Sequence, residues 1–156
     1  MSAMPKYQVV HPTAEHVEKF AAVLNEADIM EAKAMGYSTP LEVVDYSVRA
    51  SRDAYCLLAD GEPVAMCGIA PYGAISTTGM PWVLTSRNIK EHFRPFLRYA
   101  KFFAKEWLTQ YNRLCHFIDQ RHTQAMQWVE WVGFKPRGVQ YLGPDNLPFV
   151  AYEMRN

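Results

Sequence analysis

The chain has 156 residues, of which 49% are hydrophobic and 21% are charged, and its formal net charge at pH 7 is zero. This composition is typical of a folded soluble protein and excludes a disordered chain, and the length predicts one domain with a substantial core. The sequence predicts no signal peptide, and no apolar stretch approaches the roughly 18 residues that span a membrane.

Residues 1–50 are predicted to form one strand and a mostly helical segment. Thr13 is a suitable N-cap for a helix with apolar residues at helical spacing. Gly36 stands in the usual position after a helix, and Pro40 suits a first helical turn. The predicted elements are a strand over Tyr7–Val10 and helices over Ala14–Leu24, from Asn25 or Glu26 to Gly36, and from Pro40 onward.

The middle of the chain changes to the patterning of β-strands. AYCLLAD, VAMCGIAPYGAI and MPWVLTS are apolar runs that short polar turns separate. The turns are predicted at Gly61-Glu62-Pro63 and at STTG, residues 76–79. We therefore expect three consecutive strands joined as an antiparallel meander.

A basic helix follows these strands. Pro95 would break the hydrogen-bond ladder of a helix that began at Asn88. We therefore predict a short turn over residues 88–92 and a main helix from about Arg94–Pro95 to Tyr111.

The last third contains a strand, a helix and two closing strands. RLCHFID is the strand, HTQAMQWVEWV is a helix that ends at Gly133, and FKPRGVQYL and PFVAYEM are joined by a turn over residues 143–146. The order β, α-rich, βββ, α, β, α, ββ predicts a mixed α/β sheet.

The three cysteines are Cys56, Cys67 and Cys115, which are widely spaced and lie in apolar runs. This pattern fits buried, reduced thiols and offers neither a zinc-binding spacing nor a disulfide framework. We therefore expect no metal site and no disulfide. A cysteine nucleophile is the alternative.

The segment HTQAMQWVEWVGF, residues 122–134, carries a family resemblance. Its Ala125, Glu130, Gly133 and Phe134 match the Asn-x-x-Ala-…-Tyr-Glu-x-x-Gly-Phe pattern of the GNAT superfamily of acyl-CoA-dependent N-acyltransferases. The element order is also similar to that fold. The resemblance implies a single GNAT-like domain over residues 1–156, with a mixed, mostly antiparallel central sheet flanked by helices. It implies acetyl-CoA or another acyl-CoA as cosubstrate if the protein is an enzyme.

A narrower likeness concerns DIMEAKAMG (28–36), WVLTS (82–86) and the closing Gly-Phe. These segments resemble small tailed-phage proteins of the same fold, including the small internal virion protein of short-tailed phages. The likeness implies a role in virion morphogenesis or on a host target, with a protein as partner and no membrane. The expected location is the host cytoplasm during infection, or the virion.

The sequence departs from the family pattern at the coenzyme site. The family holds the pyrophosphate with backbone N–H groups of a glycine-containing loop at a helix start. The corresponding stretch here is SRNIKEHFRPFLRYA, and no glycine occurs from Met80 to Val132. Cationic side chains are predicted to supply positive charge instead. The positions assigned to the coenzyme are Leu84, Thr85, Ser86, Arg87, Lys90 and Arg94.

A second departure lies in the helix after the fifth predicted strand. Val129 replaces the tyrosine that often serves the family as general acid, and valine cannot donate a proton. The main hypothesis is therefore a GNAT-fold phage protein with a degenerate acyl-CoA site, which acts by binding and needs no cofactor. The alternative is an N-acyltransferase with an atypical coenzyme site.

Three residues are candidates for acid–base catalysis. Asp119 and His122 lie where a strand meets a helix, and they can form a base with its orienting carboxylate. The competing and favoured interpretation is that one of them caps the helix. Glu31 is a candidate base or amine contact, against a favoured solvated surface pair with Lys33. His116 is assigned no role.

One face of the basic helix carries Arg94, Arg98, Lys101 and Lys105 at helical spacing. Residues 63–156 also hold eleven Lys/Arg against six Asp/Glu. A third functional hypothesis is therefore a phosphate or nucleic-acid binder. A solvated face is the favoured interpretation, because no interleaved aromatic surface is expected there. The aromatic residues Trp107, Trp128, Trp131 and Phe134 are instead predicted to pack in the core.

Overall fold

The computed structural model describes residues 4–74 and 77–156, and every strand in these ranges belongs to one sheet. The strand order across the sheet is β1-β2-β3-β4-β5-β7-β6. The strands are β1 Tyr7–Val10, β2 Asp53–Ala59, β3 Glu62–Pro71, β4 Thr78–Thr85, β5 Arg113–Asp119, β6 Lys135–Leu142 and β7 Leu147–Arg155.

The helices of the described ranges are α1 Ala14–Ala22, α2 Glu26–Ala34, α3 Pro40–Ala50, α4 Phe93–Trp107 and α5 Thr123–Val132, with one 3-10 turn at Ile89–His92. Neighbouring strands pair antiparallel except β4 with β5, which are parallel. The predicted class, a mixed and mostly antiparallel sheet flanked by helices, is confirmed.

Helix starts follow the predicted chemistry. The Thr13 side chain accepts a hydrogen bond from the N–H of His16, and the Asn25 side chain accepts one from the N–H of Ala27. Pro95 lies in the first turn of α4, where its missing N–H leaves no helical hydrogen bond unmade. The predicted break between the turn at 88–92 and the main helix is confirmed.

Several predicted boundaries were wrong. The first hairpin turn consists of Asp60 and Gly61, both with positive φ, so Glu62 already belongs to β3. Thr78 and Gly79 belong to β4 rather than to a turn, and Ile75 and Ser76 lie outside the described residues. α1 ends at Ala22 instead of Leu24, and α4 ends at Trp107 instead of Tyr111.

The sheet separates two apolar layers. Helices α1, α2 and α3 cover one face around the fully buried Phe20, Leu24 and Val44. Helices α4 and α5 cover the other face, where Trp107 and Ile118 are buried. The three cysteines are free thiols. Among the described helices, none combines the length and apolar character needed to cross a membrane.

The prediction that all four aromatic residues around the last helix pack in the core was partly wrong. Trp107 and Phe134 are buried, and Trp128 packs edge-to-face on Phe96 with ring centroids 5.1 Å apart. The side chain of Trp131, in contrast, is 54% exposed. Trp131 therefore belongs to the surface.

Gly143 is expected to tolerate no side chain, because the turn between β6 and β7 packs on the end of α2. A Cβ at Gly143 would lie 1.9 Å from the carbonyl oxygen of Ala34, and its φ is +79°. Gly143→Ala should lower the free energy of unfolding by about 2–3 kcal/mol, measured by urea denaturation. Gly61→Ala is the control, since Gly61 has φ +83° but no atom within 4 Å. Gly61→Ala should lower the free energy of unfolding by about 1 kcal/mol. If both variants lost the same free energy of unfolding, the close approach at Gly143 would be contradicted.

Candidate functional site

Strands β4 and β5 form a wedge in the middle of the sheet. They pair only at Thr78 with Arg113 and at Gly79 with Leu114, and beyond these pairs they separate. The wedge contains a narrow cavity of about 70 Å³ between α4 and α5. Its walls are mainly apolar, and they include Val83, Phe96, Leu97, Phe103, Trp128 and Val129.

Two carboxyl groups and two imidazoles line the same cavity, and they come from α2, from β5 and from the residue before α5. Asp28 and Glu31 lie three residues apart on α2 and therefore face the same side of that helix. His116 comes from β5, and His122 is the residue immediately before α5. We call Asp28, Glu31 and His122 the polar cluster.

Asp28 is the centre of the polar cluster and is only 6% exposed. Its Oδ2 accepts hydrogen bonds from the backbone N–H of Thr85 at 2.8 Å and from the Thr85 hydroxyl at 2.9 Å. Its Oδ1 lies 2.9 Å from Nε2 of His122. Asp28 therefore ties α2 to the end of β4 and to the start of α5.

His122 has two partners, one for each ring nitrogen. Nε2 faces Asp28, and Nδ1 lies 3.4 Å from the N–H of Ala125, which makes His122 the N-cap of α5. An accepting Nδ1 describes the neutral imidazole. Burial lowers the pKa of His122, but the hydrogen bond and charge of Asp28, with the charges of Glu31 and Asp119, together raise it. Protonation is thus favoured by the cluster and would break the contact with Ala125.

Glu31 is half-buried, and its Oε2 accepts a hydrogen bond from the N–H of Asp119 at 3.2 Å. Burial, followed by the charge of Asp28, raises the pKa of Glu31 to about 7. Such a carboxyl group exchanges its proton near neutral pH. The predicted surface pair of Glu31 with Lys33 was wrong, because Glu31 lines the cavity while Lys33 is exposed.

His116 also lines the cavity, although the sequence suggested no role for it. Burial, followed by the charge of His122, lowers the pKa of His116 to about 4. Its imidazole is therefore neutral at physiological pH. The cavity is therefore lined by His116, whose pKa is lowered, and by His122, whose pKa is raised.

The favoured interpretation that one of Asp119 and His122 caps the helix is confirmed for His122, and the alternative that Asp119 orients His122 is wrong. The Asp119 carboxylate pairs with the Arg121 guanidinium at 2.7 and 3.0 Å. Burial raises the pKa of Asp119, but the hydrogen bonds from Arg121 outweigh burial and lower it. Asp28 is the carboxylate that holds His122, while Asp119 contributes its backbone N–H to Glu31.

The positions assigned to the coenzyme are scattered. Thr85 lines the cavity and is bonded to Asp28, whereas Leu84 packs on the opposite face of the sheet against the α1–α3 layer. Ser86 is buried and bonded to Asn88. The side chains of Arg87, Lys90 and Arg94 are exposed. Their roles in binding stay predictions.

The loop before α4 does not fit a backbone cradle for a pyrophosphate. The N–H of Ser86 donates to the carbonyl of Val64 and that of Arg87 to the carbonyl of Val23, both at 2.9 Å. The N–H groups of Ile89 and Glu91 close turns within the loop. Ile89 is itself 1% exposed and packs in the core. Four N–H donors of this loop, and the space at Ile89, are therefore taken by the protein itself.

Asp28 was missed because an acidic residue near the start of a helix is common, and its partners are distant in the chain. The only available signal was its spacing of three residues from Glu31. Among the described residues, no group of three or more His, Cys, Asp or Glu side chains is arranged to hold a metal ion.

Solved structures with this architecture include an acetyltransferase of the GNAT family and other acetyltransferases. An acetyltransferase of the GNAT family from Bacillus anthracis has TM-score 0.71 and 12% identity, over 98% of this chain and 96% of that chain. An N-acetyltransferase from Staphylococcus aureus has TM-score 0.73 and 14% identity, over 96% and 98%. Ard1 from Thermoplasma volcanium has TM-score 0.73 and 10% identity, over 96% and 97%. No protein-family model and no curated protein sequence matches the chain. The likeness establishes the GNAT fold that residues 122–134 implied.

Proposed function

We propose that the protein transfers an acyl group from a thioester to an amine in the wedge between β4 and β5. The observation that carries this proposal is the polar cluster of Asp28, Glu31 and His122 at an otherwise apolar cavity. A buried carboxylate–histidine pair beside a carboxyl group with a perturbed pKa is typical of acid–base sites. Acetyltransferases of this fold among the solved structures support the same reaction class.

Glu31 is the proposed general base. A base is most effective when its pKa lies near the working pH, and burial raises the pKa of Glu31 to about 7. The Asp119 N–H holds Oε2, and among the described residues no hydrogen bond engages Oε1. Oε1 is therefore the atom that would take the proton from an attacking amine.

Val83 supplies the proposed donor for the negative charge that develops on the carbonyl oxygen. Backbone N–H groups alternate in direction along an antiparallel ladder, and the N–H of Thr85 points away from β3 toward Asp28. The same edge therefore holds the N–H of Val83, whereas Pro81 has none. A donor fixed on an open strand edge beside an apolar wall suits this role.

The Glu31 carboxylate and the Val83 N–H are sufficient for the proposed acyl transfer. The amine nitrogen forms a bond to the thioester carbonyl carbon, and Glu31 takes a proton from that nitrogen. The carbon–sulfur bond then breaks, which gives an amide and a thiolate. A thiol has an ordinary pKa of about 8.5, so the thiolate departs without a general acid. The valine at position 129 is therefore compatible with transfer.

The donor would be held by its thioester arm and not by phosphates in the loop, because four N–H groups of that loop already bond carbonyl groups of the protein. Binding requires the side chains of α4 and α5 to separate, since a cavity of about 70 Å³ is far smaller than ordinary ligand pockets of about 300–1,000 Å³. Arg94, in the first turn of α4, is one of the three cations assigned to an acyl-CoA cosubstrate.

Thermal-shift and calorimetric titrations with acetyl-CoA and with acetyl-pantetheine test this proposal. Either ligand at 100 times its Kd should stabilise the fold by about 2.7 kcal/mol, and the two Kd values should agree within about tenfold. Ala125→Phe, which fills the cavity from α5, should abolish both shifts. No shift at millimolar concentrations of either ligand would refute the proposal.

A second candidate function is binding without catalysis, and the occupied loop before α4 is the observation that favours it. In this case we propose binding to a protein partner, with a role in virion morphogenesis or on a host target. This more specific proposal rests on the likeness of residues 28–36 and 82–86 to phage proteins. These two segments contact each other through Asp28 and Thr85. Detection of the protein in purified virions, with no response to either thioester, would favour this function over transfer.

A further inference from the structure

The structure points to a second binding surface, and we propose that it takes single-stranded nucleic acid. A groove of about 560 Å³ runs along the outer side of α4 and is closed on one side by α5. We call it the α4/α5 groove, and its principal residues are Arg94, Arg98, Lys101, Lys105, Phe102 and Trp131. Leu97 is the only described residue that it shares with the wedge cavity, so this site goes beyond the proposed transfer reaction.

The basic residues of the groove carry uncompensated charge. In the described chain no carboxylate lies within ion-pair distance of any of the four cations, and no acidic residue lines the groove. Lys19 and Arg49 on the other helices, in contrast, pair with Glu15 at 3.3 Å and Asp45 at 2.8 Å. Four unpaired cations on one helix face attract an anionic partner.

The cations form a row with aromatic rings on both edges. From Arg94 to Lys105 the row is about 16 Å long at the helical rise per residue. Phe93 and Phe102 are 43% and 55% exposed on α4, and Trp131 is 54% exposed on α5. The Lys101 ammonium lies 4.7 Å from the Trp131 ring centroid. Exposed aromatic rings therefore lie beside this face, contrary to the expectation, while its role as a solvated or a binding face stays a prediction.

This arrangement favours single-stranded nucleic acid over other polyanions. Proteins that bind single strands combine a positive groove along the backbone with aromatic side chains on which bases stack. A row of about 16 Å suits roughly four nucleotides, the smallest of the usual site sizes. Bases in a duplex have no free faces for Phe102 or Trp131. A flat bilayer would not fill a concave groove in which Lys101 covers Trp131.

Fluorescence anisotropy with a labelled oligothymidylate of about twelve nucleotides tests the proposal. A micromolar Kd is expected at low salt, and log K should fall with log salt at a slope of about −3, which corresponds to four phosphate contacts. Arg98→Glu with Lys101→Glu should weaken binding at least tenfold and halve the slope. Phe102→Ala with Trp131→Ala should also weaken binding about tenfold, with the slope unchanged.

The matched control is Lys19→Glu with Arg49→Glu, which makes the same charge change on α1 and α3. It should keep the wild-type Kd within about twofold, and circular dichroism should show that all variants are folded. The proposal is overturned if the oligonucleotide does not bind, or if the aromatic variant binds as well as wild type. Equal affinity for a duplex or polyglutamate, or a preference for anionic vesicles, would also overturn it.

Discussion

Replacement of Asp28 by alanine is expected to lower the free energy of unfolding by about 3–5 kcal/mol. Asp28 is 6% exposed and accepts from the Thr85 N–H and the Thr85 hydroxyl, while His122 lies against its other oxygen. Alanine would leave these three polar groups buried without an acceptor. Guanidinium unfolding at pH 7, followed by circular dichroism, measures the loss.

Two variants control this experiment. Asp28→Asn retains one acceptor oxygen and should cost about 1–3 kcal/mol. It should also lower the pKa of His122 in an NMR titration, because the hydrogen bond and charge of Asp28 raise that pKa. Asp45→Ala removes a carboxylate whose side chain is 45% exposed and pairs with Arg49, so it should cost less than about 1 kcal/mol. If Asp28→Ala costs no more than Asp45→Ala, Asp28 does not organise the site.

Much of the fold could be predicted from the sequence because its determinants are local. Thr13 as a cap, Pro95 in a first turn and Gly133 after a helix each act through backbone groups only a few residues away. Period-two apolar runs marked the strands, and the order of elements then restricted the sheet. The errors at Glu62 and Thr78 arose because a polar residue in a strand resembles a turn.

The candidate site was only half predicted, because its geometry depends on distant parts of the chain. Glu31 and His122 were candidates, but Asp28, the hydrogen-bond partner of His122, is 94 residues away from it in the chain. His116 was dismissed because strand alternation alone does not say which face lines a cavity. Trp131 was expected in the core because exposure depends on how α5 lies on α4. Each error concerns a helix or strand face whose neighbour the sequence does not specify.

Two features at the open end of the wedge differ in a way that bears on function. At the loop before α4, Ile89 is buried and four N–H groups bond other parts of the protein, so these groups cannot bind a coenzyme pyrophosphate. Beside it, at the last residues of β4 and β5, Asp28, Glu31 and His122 keep ionisable groups in an apolar setting. A buried ionisable cluster costs stability, and acid–base chemistry is a reason to keep it. This contrast supports transfer from a thioester held by its arm.

Glu31→Gln separates a catalytic role for Glu31 from a structural one. The amide cannot accept the amine proton, so the transfer rate should fall at least about 100-fold, and the ascending limb near pH 7 in the rate–pH profile should disappear. Glu18→Gln, on the exposed surface of α1, should leave rate and profile unchanged. The assay follows thiol release from the thioester that binds in the titration. An unchanged limb near pH 7 in Glu31→Gln would assign the base to another residue.

The same variant should make the protein more stable at alkaline pH, because the burial that raises the pKa of Glu31 disfavours its ionised form. The pKa of Glu31 in the folded state, about 7, lies above its ordinary value of 4.5. The stability that its proton contributes is complete below pH 4.5 and is lost as the pH rises through 7. Glutamine does not ionise, so the two proteins should match below pH 4.5. At pH 8 the variant should be more stable by about 1–3 kcal/mol in urea unfolding. A loss of stability at pH 8 would mean that the ionised Glu31 carboxylate supports the fold.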